Sequence, residues 1–273
     1  MMILEKTFTI NQKSQALEVI SECVDLSKSK IKDAMEKGSV WLDDGSKVSR
    51  IRRSKNEVLP GQTIYLYYDE QILSKIPAKP LLIDSMKTYS VWFKPKGIFS
   101  QGSKWGDHCS IIRIASKELQ KDSFPVHRLD RATSGLMAIA HSKNSARLLS
   151  DQFAQREVKK KYLAICDGVI DTNKIIDYEL DGKDALTEIF PVDTHHDKSL
   201  IEINIKTGRK HQIRRHLSMI DHPVIGDRLY SDSSVKHEID LCLQSIYLGF
   251  TCVETGNWRE FNIDESQKLK LEK

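Results

Sequence analysis

The sequence predicts an α+β protein with a mixed or mostly antiparallel sheet, preceded by a small α/β domain. Two observations carry this fold class. From residue 88 onward, strand-like segments outnumber helical ones and follow no regular alternation, which is typical of an α+β domain. The chain has 273 residues, 40% of them hydrophobic, which is enough for one large core and one small domain.

Residues 1–70 form the predicted small domain. Apolar residues recur at helical spacing between residues 14 and 24, and Ser27 then provides an N-cap for a second helix that Gly38 ends. Residues 71–87 contain two prolines and little periodicity, so we predict a linker there. Short strands and turns of the small domain follow its helices at residues 39–42, 43–45, 59–61 and 63–68.

Residues 88–273 form the predicted large domain. Its first strand, over residues 89–93, precedes a helix over residues 111–119 and a second strand over residues 136–140. Ser142 then caps an amphipathic helix. Further strands are predicted at residues 162–166, 186–190, 200–205, 241–248 and 258–263.

Charge and cysteine content narrow the class of protein. The net charge of +4 fits an enzyme with one basic face better than a uniformly basic, histone-like protein. The five cysteines are scattered and include no Cys-x-x-Cys pair, so neither a disulfide framework nor a zinc site is predicted. The sequence shows neither a signal peptide nor an apolar run of membrane-spanning length, and we expect a cytoplasmic protein with no membrane partner.

The segment from residue 124 to residue 140 holds the strongest candidate for chemistry. Asp130 lies among His127, Arg128 and Arg131, and a Thr-Ser-Gly turn then leads into an apolar strand. A carboxylate flanked by cations stays ionised, and it can therefore act as a nucleophile or as a base. A structural ion pair in a loop is the alternative interpretation of the same residues.

Three blocks in one chain order resemble the pseudouridine synthases of the RluA type. The first block is His-Arg-Leu-Asp at 127–130 with Thr-Ser-Gly at 133–135, the second lies within 153–162, and the third spans 207–216 and continues at 222–230. The resemblance implies the pseudouridine synthase fold and isomerisation of uridine in RNA. In that reaction the N1–C1′ bond breaks, the base turns over and C5 joins C1′, with no cofactor, no metal and no obligate protein partner.

The resemblance also implies roles for individual residues. Asp130 is the nucleophile, and attack at C1′, attack at C6 and a glycal intermediate all stay open as routes. Arg214 holds Asp130 through two parallel hydrogen bonds, with Arg209 as the alternative, although either arginine can instead contact phosphate. Tyr162 stacks on the flipped uracil. Arg128 fills the space that the target base leaves, unless it is a second ion-pair partner of Asp130.

Other residues of the resembling blocks are assigned to RNA binding or to the fold. Lys159, Lys160 and Lys161 are predicted to contact phosphates, and a charged strand edge is the alternative. Gly226 and Asp227 match the family and are interpreted as supporting the fold.

The order of elements in the small domain resembles the S4 RNA-binding domain, whose second helix presents cations to phosphates. Lys28, Lys30 and Lys32 occupy that helix here, and a solvated helix face is the alternative. Such a domain favours a large structured substrate, so we expect 23S ribosomal RNA. Transfer RNA as the substrate, or a non-catalytic RNA-binding assembly factor on the same fold, are the competing interpretations. The Asp130, Tyr162 and Arg214 set argues for an enzyme.

Overall fold

A computed structural model describes residues 2–231 and 239–271, and the chain divides into two units. Unit 1 consists of Met1–Pro77 and Gln101–Glu118, and unit 2 consists of Ala78–Ser100 and Leu119–Lys273. This division differs from the boundaries expected at residues 70 and 88, because residues 101–118 belong to unit 1. The predicted linker at 71–87 also contains the strand Leu81–Ser85.

Unit 1 contains a four-stranded antiparallel sheet and a two-stranded ribbon. The strands are β1 (Ile3–Thr9), β2 (Ser14–Gln15), β3 (Val40–Asp43), β4 (Val48–Arg50), β5 (Glu57–Val58) and β6 (Thr63–Asp69). The sheet has the order β1-β6-β3-β4, and β2 pairs with β5. Buried and half-buried residues alternate along β6, so one face of this strand contributes to the core. Its prediction as a strand is confirmed.

Two helices cover the core of unit 1, as predicted. They are α1 (Ala16–Cys23) and α2 (Lys28–Glu36), and a third helix of one turn, α3 (Glu70–Leu73), follows β6. The Ser27 side chain accepts a hydrogen bond from the Lys30 amide at 3.3 Å, which confirms the predicted N-cap. The apolar faces of α1 and α2 bury Ile20, Ile31 and Met35 completely.

Residues 101–118 are held in unit 1 by an ion pair. Asp107 accepts hydrogen bonds from both terminal nitrogens of Arg52, and its own amide donates to the Lys37 carbonyl at 2.9 Å. The segment ends in α4 (Ile111–Leu119), the helix predicted there. Because Arg52 and Asp107 are 55 positions apart, the sequence gives no local sign of this association, which explains the difference from the expected boundary.

Unit 2 is built on a ten-stranded sheet. Its strands are β7 (Leu81–Ser85), β8 (Tyr89–Lys94), β9 (Phe124–Pro125), β10 (Ser134–Ala140), β11 (Lys159–Asp167), β12 (Lys174–Ile176), β13 (Thr187–His195), β14 (Lys198–Ile205), β15 (Leu243–Thr251) and β16 (Trp258–Asn262). The order is β12-β13-β14-β11-β15-β10-β8-β7, with β16 on β15 and β9 on β10. Every described pairing is antiparallel except β10 with β15. The predicted mixed, mostly antiparallel sheet is therefore confirmed.

The parallel contact between β10 and β15 explains the glycine of the Thr-Ser-Gly turn. Gly135 has a φ of +118°, and a Cβ atom there would lie 2.1 Å from the carbonyl oxygen of Ser245. Only glycine permits this approach. The loop that carries Asp130 enters the sheet at this position.

Two helices of unit 2 flank the sheet. Helix α5 (Lys143–Ala154) begins at the predicted cap, because Ser142 accepts a hydrogen bond from the Ser145 amide at 3.1 Å. Helix α6 (Gln212–Met219) is not predicted from the sequence. Within the described residues, no helix is long and apolar enough to span a bilayer.

Candidate active site

Asp130 lies in the loop between β9 and β10, and several hydrogen bonds fix this loop. The buried Ser100 hydroxyl donates to the Leu129 carbonyl at 2.6 Å and accepts from the Leu129 amide at 2.9 Å. On the other side, the Thr133 amide donates to the Asp130 carbonyl at 3.1 Å. The backbone around Asp130 is thus held on both sides, and its side chain is about one quarter exposed (25%).

Lys94 is fully buried beside this loop. Its Nζ donates to three backbone carbonyls, those of Pro95 at 3.2 Å, Ile98 at 3.1 Å and Arg131 at 3.4 Å. Burial lowers the pKa of Lys94 to about 7, although the Asp130 carboxylate acts in the opposite direction. Lys94 therefore joins the end of β8 to the residue that follows Asp130.

Arg214 bridges two carboxylates at the start of α6. Its Nη1 donates to Asp130 Oδ2 at 3.1 Å, while its Nε and Nη2 donate to the two oxygens of Asp227, each at 2.7 Å. The Asp227 side chain is completely buried and also accepts from the amides of Leu229 and Tyr230. The paired fork of Arg214 is therefore directed to Asp227, and one remaining nitrogen reaches Asp130.

This arrangement corrects one expectation and extends another. Arg214 holds Asp130 with one hydrogen bond rather than two, because Asp227 occupies the paired donors. Asp227, interpreted from sequence as supporting the fold, also fixes the arginine that contacts Asp130. Burial by itself raises the pKa of Asp227, but the hydrogen bonds from Arg214 and from two backbone amides lower it overall.

The Thr207-Gly208-Arg209 turn is tied to α6 by Gln212. The buried Gln212 side chain accepts from the Thr207 hydroxyl at 2.6 Å and from the Arg209 amide at 3.1 Å, and it donates to the Leu186 carbonyl at 2.9 Å. The motif residues before Arg214 thus set the start of its helix. His216, one turn along α6, is buried and bonded to Thr187 and the Tyr178 carbonyl, which makes it structural.

A cavity of about 300 Å³ opens in front of Asp130. Tyr162 on β11 lines it and is 7% exposed. Burial and the nearby Asp130 carboxylate both raise the pKa of Tyr162, so its hydroxyl stays protonated. His211 lies on the other side, with Nε2 3.6 Å from Asp130 Oδ1 and Nδ1 2.8 Å from the Tyr230 hydroxyl. Burial lowers the pKa of His211.

The predicted arginines Arg128 and Arg209 lie at the same cavity but differ in their contacts. Arg128 and Arg209 line it, and Arg128 is exposed. Among the residues that the structure describes, Arg128 forms no hydrogen bond or ion pair with Asp130, which instead accepts from Arg214 and lies 3.6 Å from His211 Nε2. Arg209 Nε donates to the Asp184 carbonyl at 3.0 Å instead of reaching the carboxylate.

The three consecutive lysines of β11 separate by strand alternation. Lys161 pairs with Glu202 at 2.9 Å, and Lys159 lies 5.4 Å from the centre of the Trp258 ring. Lys160 lies on the opposite face of the strand, which is also the face of Tyr162, and these two residues line a second cavity. The structure thus brings only Lys160 of the three beside the Asp130 region.

The predicted lysines of α2 lie in unit 1. Lys28 forms an ion pair with Glu18, and Lys30 forms one with Glu70 at 3.1 Å. Lys32 is exposed and has no ion-pair partner among the described residues. All three are surface cations, so their side chains are accessible to a polyanion.

Chemically, the described residues of the site present one carboxylate to a partly open cavity. Asp227 and Arg214 hold it in direction, Tyr162 supplies an aromatic wall, and Arg128 supplies a cation at the rim. A carboxylate aimed in this way is suited to nucleophilic attack on a bound substrate.

Comparison with known proteins defines the class. The family model described as RNA pseudouridylate synthase matches residues 88–219. An uncharacterized RNA pseudouridine synthase of Chloroflexus aurantiacus is 31% identical over 272 residues, which covers 90% of this chain and 84% of that protein. The tRNA pseudouridine synthase C of Haemophilus ducreyi is 34% identical over 168 residues, covering 51% of this chain and 69% of that protein.

A solved structure with a similar name shares the fold. The solved structure of human RNA pseudouridylate synthase domain containing 1 gives a TM-score of 0.61 at 21% identity, covering 70% of this chain and 86% of that one. The chain belongs to the RNA pseudouridine synthases. It is an enzyme that converts uridine to pseudouridine in RNA.

Proposed function

We propose that this enzyme isomerises specific uridines of 23S ribosomal RNA, with Asp130 as the nucleophile. The observation that carries the proposal is the Asp227–Arg214–Asp130 chain of hydrogen bonds, which directs one carboxylate into the cavity of about 300 Å³. No disulfide joins any of the five cysteines, which supports a reducing cytoplasm as the compartment.

The reaction is balanced without any other reactant. The N1–C1′ bond breaks and the C5–C1′ bond forms, while a proton leaves C5 and a proton is gained at N1. Attack at C1′, attack at C6 and a glycal intermediate give the same products and return Asp130 unchanged. Each route needs a carboxylate of fixed direction in a site from which water is largely excluded.

The residues around Asp130 have complementary roles in this proposal. Arg214 orients Asp130, and Asp227 orients Arg214. Tyr162 stacks on the extruded uracil, a contact worth about 1–3 kcal/mol. Arg128, which has no carboxylate partner among the described residues, occupies the gap that the uridine leaves in the RNA, offsetting a flipping cost of about a few kcal/mol.

Unit 1 is the proposed S4-like RNA-binding part of the enzyme. Its support is the succession of a helix, a second helix with Lys28, Lys30 and Lys32, and a sheet. Lys32 and the weakly paired surface lysines beside it are suited to phosphate contacts, since exposed ion pairs are readily exchanged.

Transfer RNA is the second candidate substrate. A specific observation favours it, because the similarity to the tRNA pseudouridine synthase C of Haemophilus ducreyi covers half of this chain. The catalytic chemistry is the same for both RNAs.

Position-resolved mapping of pseudouridine in total RNA tests the proposal. The comparison uses cells that lack the gene, with wild-type protein or the Asp130→Asn variant restored. Loss of one or a few 23S positions that only the wild type restores is the expected result. Loss confined to transfer RNA contradicts the 23S assignment, and restoration by Asp130→Asn contradicts the role of Asp130.

A further inference from the structure

A second cavity of about 400 Å³ lies next to the Asp130 cavity in unit 2. The two cavities share Arg128, Tyr162 and Arg209 as lining residues, so a bound chain can continue from one into the other. Among the residues with a described position, those that line the second cavity include no carboxylate. They include five cations, which are Arg128, Arg156, Lys160, Lys206 and Arg209.

Most of these cations lack a negative partner. Lys206 is 3.6 Å from Glu188, and Arg209 Nε donates to a backbone carbonyl. Within residues 2–231 and 239–271, Arg128, Arg156 and Lys160 form no ion pair. An unbalanced group of cations around a concave surface is an anion-binding arrangement.

Lys160 is the least exposed of the three unpaired cations. It is half-buried and lies 5.9 Å from the centre of the Phe153 ring, without a carboxylate in contact. Burial lowers the pKa of Lys160, since a cation withdrawn from water without a partner is disfavoured. A bound anion is the partner that removes this penalty.

Arg156 stands where the backbone favours a different residue. It follows α5 with a φ of +62°, the left-handed conformation in which glycine or asparagine usually ends a helix. Arg156 thus places an exposed guanidinium at the edge of the cavity, at a backbone position that carries a local cost for an arginine.

The aromatic part of the wall, formed by His127 and Phe153, is uncharged. The His127 ring stacks on Phe153 with 4.4 Å between centroids, and its Nε2 accepts a hydrogen bond from the Ala138 amide at 2.9 Å. Burial, together with the charge of Lys160, lowers the pKa of His127 to about 3. The neutral ring leaves recognition of charge to Lys160 and Arg156.

We propose that this second cavity binds a backbone phosphate of the RNA strand, on a nucleotide adjacent to the target uridine, through Lys160 and Arg156. The inference rests on the proposed function, because the flanking nucleotide reaches the second cavity only if the flipped uracil occupies the first. It also separates Lys160 from its neighbours Lys159 and Lys161, which lie on the other face of the strand.

Steady-state tritium release from uridine-labelled RNA tests this proposal with the full-length enzyme. The RNA is whichever transcript the wild type modifies, made with either a normal or a neutral methylphosphonate linkage next to the target. We expect Lys160→Gln to raise KM about tenfold with kcat within threefold, and to reduce the salt slope of log KM by about 0.7. The neutral linkage should raise the KM of the wild type to a similar extent, but it should raise the KM of Lys160→Gln little further.

Lys159→Gln is the matched comparison, because it removes the same charge one position away on the opposite face and so decides whether the phosphate contact predicted for all three lysines belongs to Lys160 alone. We expect its KM to change by less than threefold and its response to the neutral linkage to match the wild type. Two results overturn the proposal. One is an equal rise in KM for Lys159→Gln and Lys160→Gln. The other is that the neutral linkage, placed on either the 5′ or the 3′ side of the target, raises the KM of Lys160→Gln as much as it raises that of the wild type.

Arg156→Gly supplies a variant that is not expected to unfold. Glycine suits the positive φ, so the melting temperature should be maintained or raised while KM rises severalfold. An unchanged KM contradicts the role of Arg156. If the modified transcript is a transfer RNA, the 23S assignment fails. The comparison of Lys160→Gln with Lys159→Gln is then made on that transfer RNA and still tests the phosphate contact.

Discussion

Two clusters of arginine and aspartate, one in each unit, have opposite compositions. The first joins one arginine to two carboxylates, and the second joins one carboxylate to two arginines. The members of the Arg214 cluster are Arg214, Asp130 and Asp227, and those of the Asp107 cluster are Asp107, Arg50 and Arg52. Both are largely buried, so burial alone does not separate a catalytic group from a structural one.

Unused hydrogen-bonding capacity does separate them. In the Asp107 cluster the arginines also donate to the carbonyls of Gly38, Ser103 and Glu36 at 2.8–3.0 Å, so their donors hold the chain together. In the Arg214 cluster Asp130 Oδ1 has only a 3.6 Å contact with His211 among the described residues. A carboxylate oxygen left available toward a cavity indicates chemistry, and arginines that also donate to several backbone carbonyls indicate structure.

The largest effect is expected at the available carboxylate. Asp130→Asn keeps the shape of the side chain but removes the nucleophile, so turnover should fall by more than about 10³-fold. RNA affinity should stay within threefold of the wild type, because the amide still fits beside Arg214. Tritium release and filter binding on the same RNA measure the two quantities. Substantial remaining turnover would mean that Asp130 is a structural ion-pair residue after all.

Asp227→Asn tests the support beneath that carboxylate. Removing one partner of a buried ion pair costs about 3–5 kcal/mol of unfolding free energy, and Arg214 should lose its fixed direction. We therefore expect kcat to fall about 10–100-fold through poor orientation of Asp130. Urea unfolding and kinetics at a temperature where the variant is folded check both parts. A stability loss with unchanged kcat would show that Asp130 does not depend on Asp227.

Asp107→Asn is the counterpart in unit 1 and sharpens the contrast. Two arginines lose their shared carboxylate, and hydrogen bonds to charged groups are worth about 1.5–3 kcal/mol each. We expect a loss of that order in the stability of unit 1, with kcat on bound RNA unchanged. Hydrogen exchange of residues 101–118 should increase, since Asp107 holds this segment. A fall in kcat comparable with that of Asp227→Asn would remove the distinction between the clusters.

The sequence was sufficient where the determinants are local. The His-Arg-Leu-Asp segment at 127–130 and the block at 207–216 point to Asp130 and Arg214, and the strands predicted at 162–166 and 200–205 lie within β11 and β14. Ser27 and Ser142 identify the starts of two helices, because a cap depends on neighbouring residues. The mixed sheet follows from the irregular succession of strands.

The rest depends on contacts between distant residues. Asp227 becomes important only because Arg214 directs its paired donors there, a geometry that spacing along the chain does not contain. Helix α6 lacks the usual apolar pattern because it buries Gln212, Arg214 and His216. The association of residues 101–118 with unit 1 likewise rests on an ion pair to Arg52.

Lys94 provides the smallest and most specific test of the comparison. It lies near Asp130 but resembles the Asp107 cluster, because all three of its hydrogen bonds go to carbonyls. Its pKa is about 7 in the folded protein against an ordinary value of 10.5. Between these values the unfolded chain binds the extra proton, so folding stability should rise with pH by about 1 kcal/mol per pH unit.

The difference between wild type and Lys94→Met isolates this contribution. Urea unfolding at pH 7.5 and 9.5 should show an increase in wild-type stability over this interval that the methionine variant lacks, on the order of 2 kcal/mol. Lys96→Met, in the same loop, should keep the wild-type dependence. Parallel pH dependence of all three proteins would mean that the carbonyls around Lys94 keep its ammonium charged. Lys94 would then contribute a second buried cation to the surroundings of Asp130. In the comparison of the two clusters, Lys94 would belong with the Arg214 cluster despite its bonds to carbonyls.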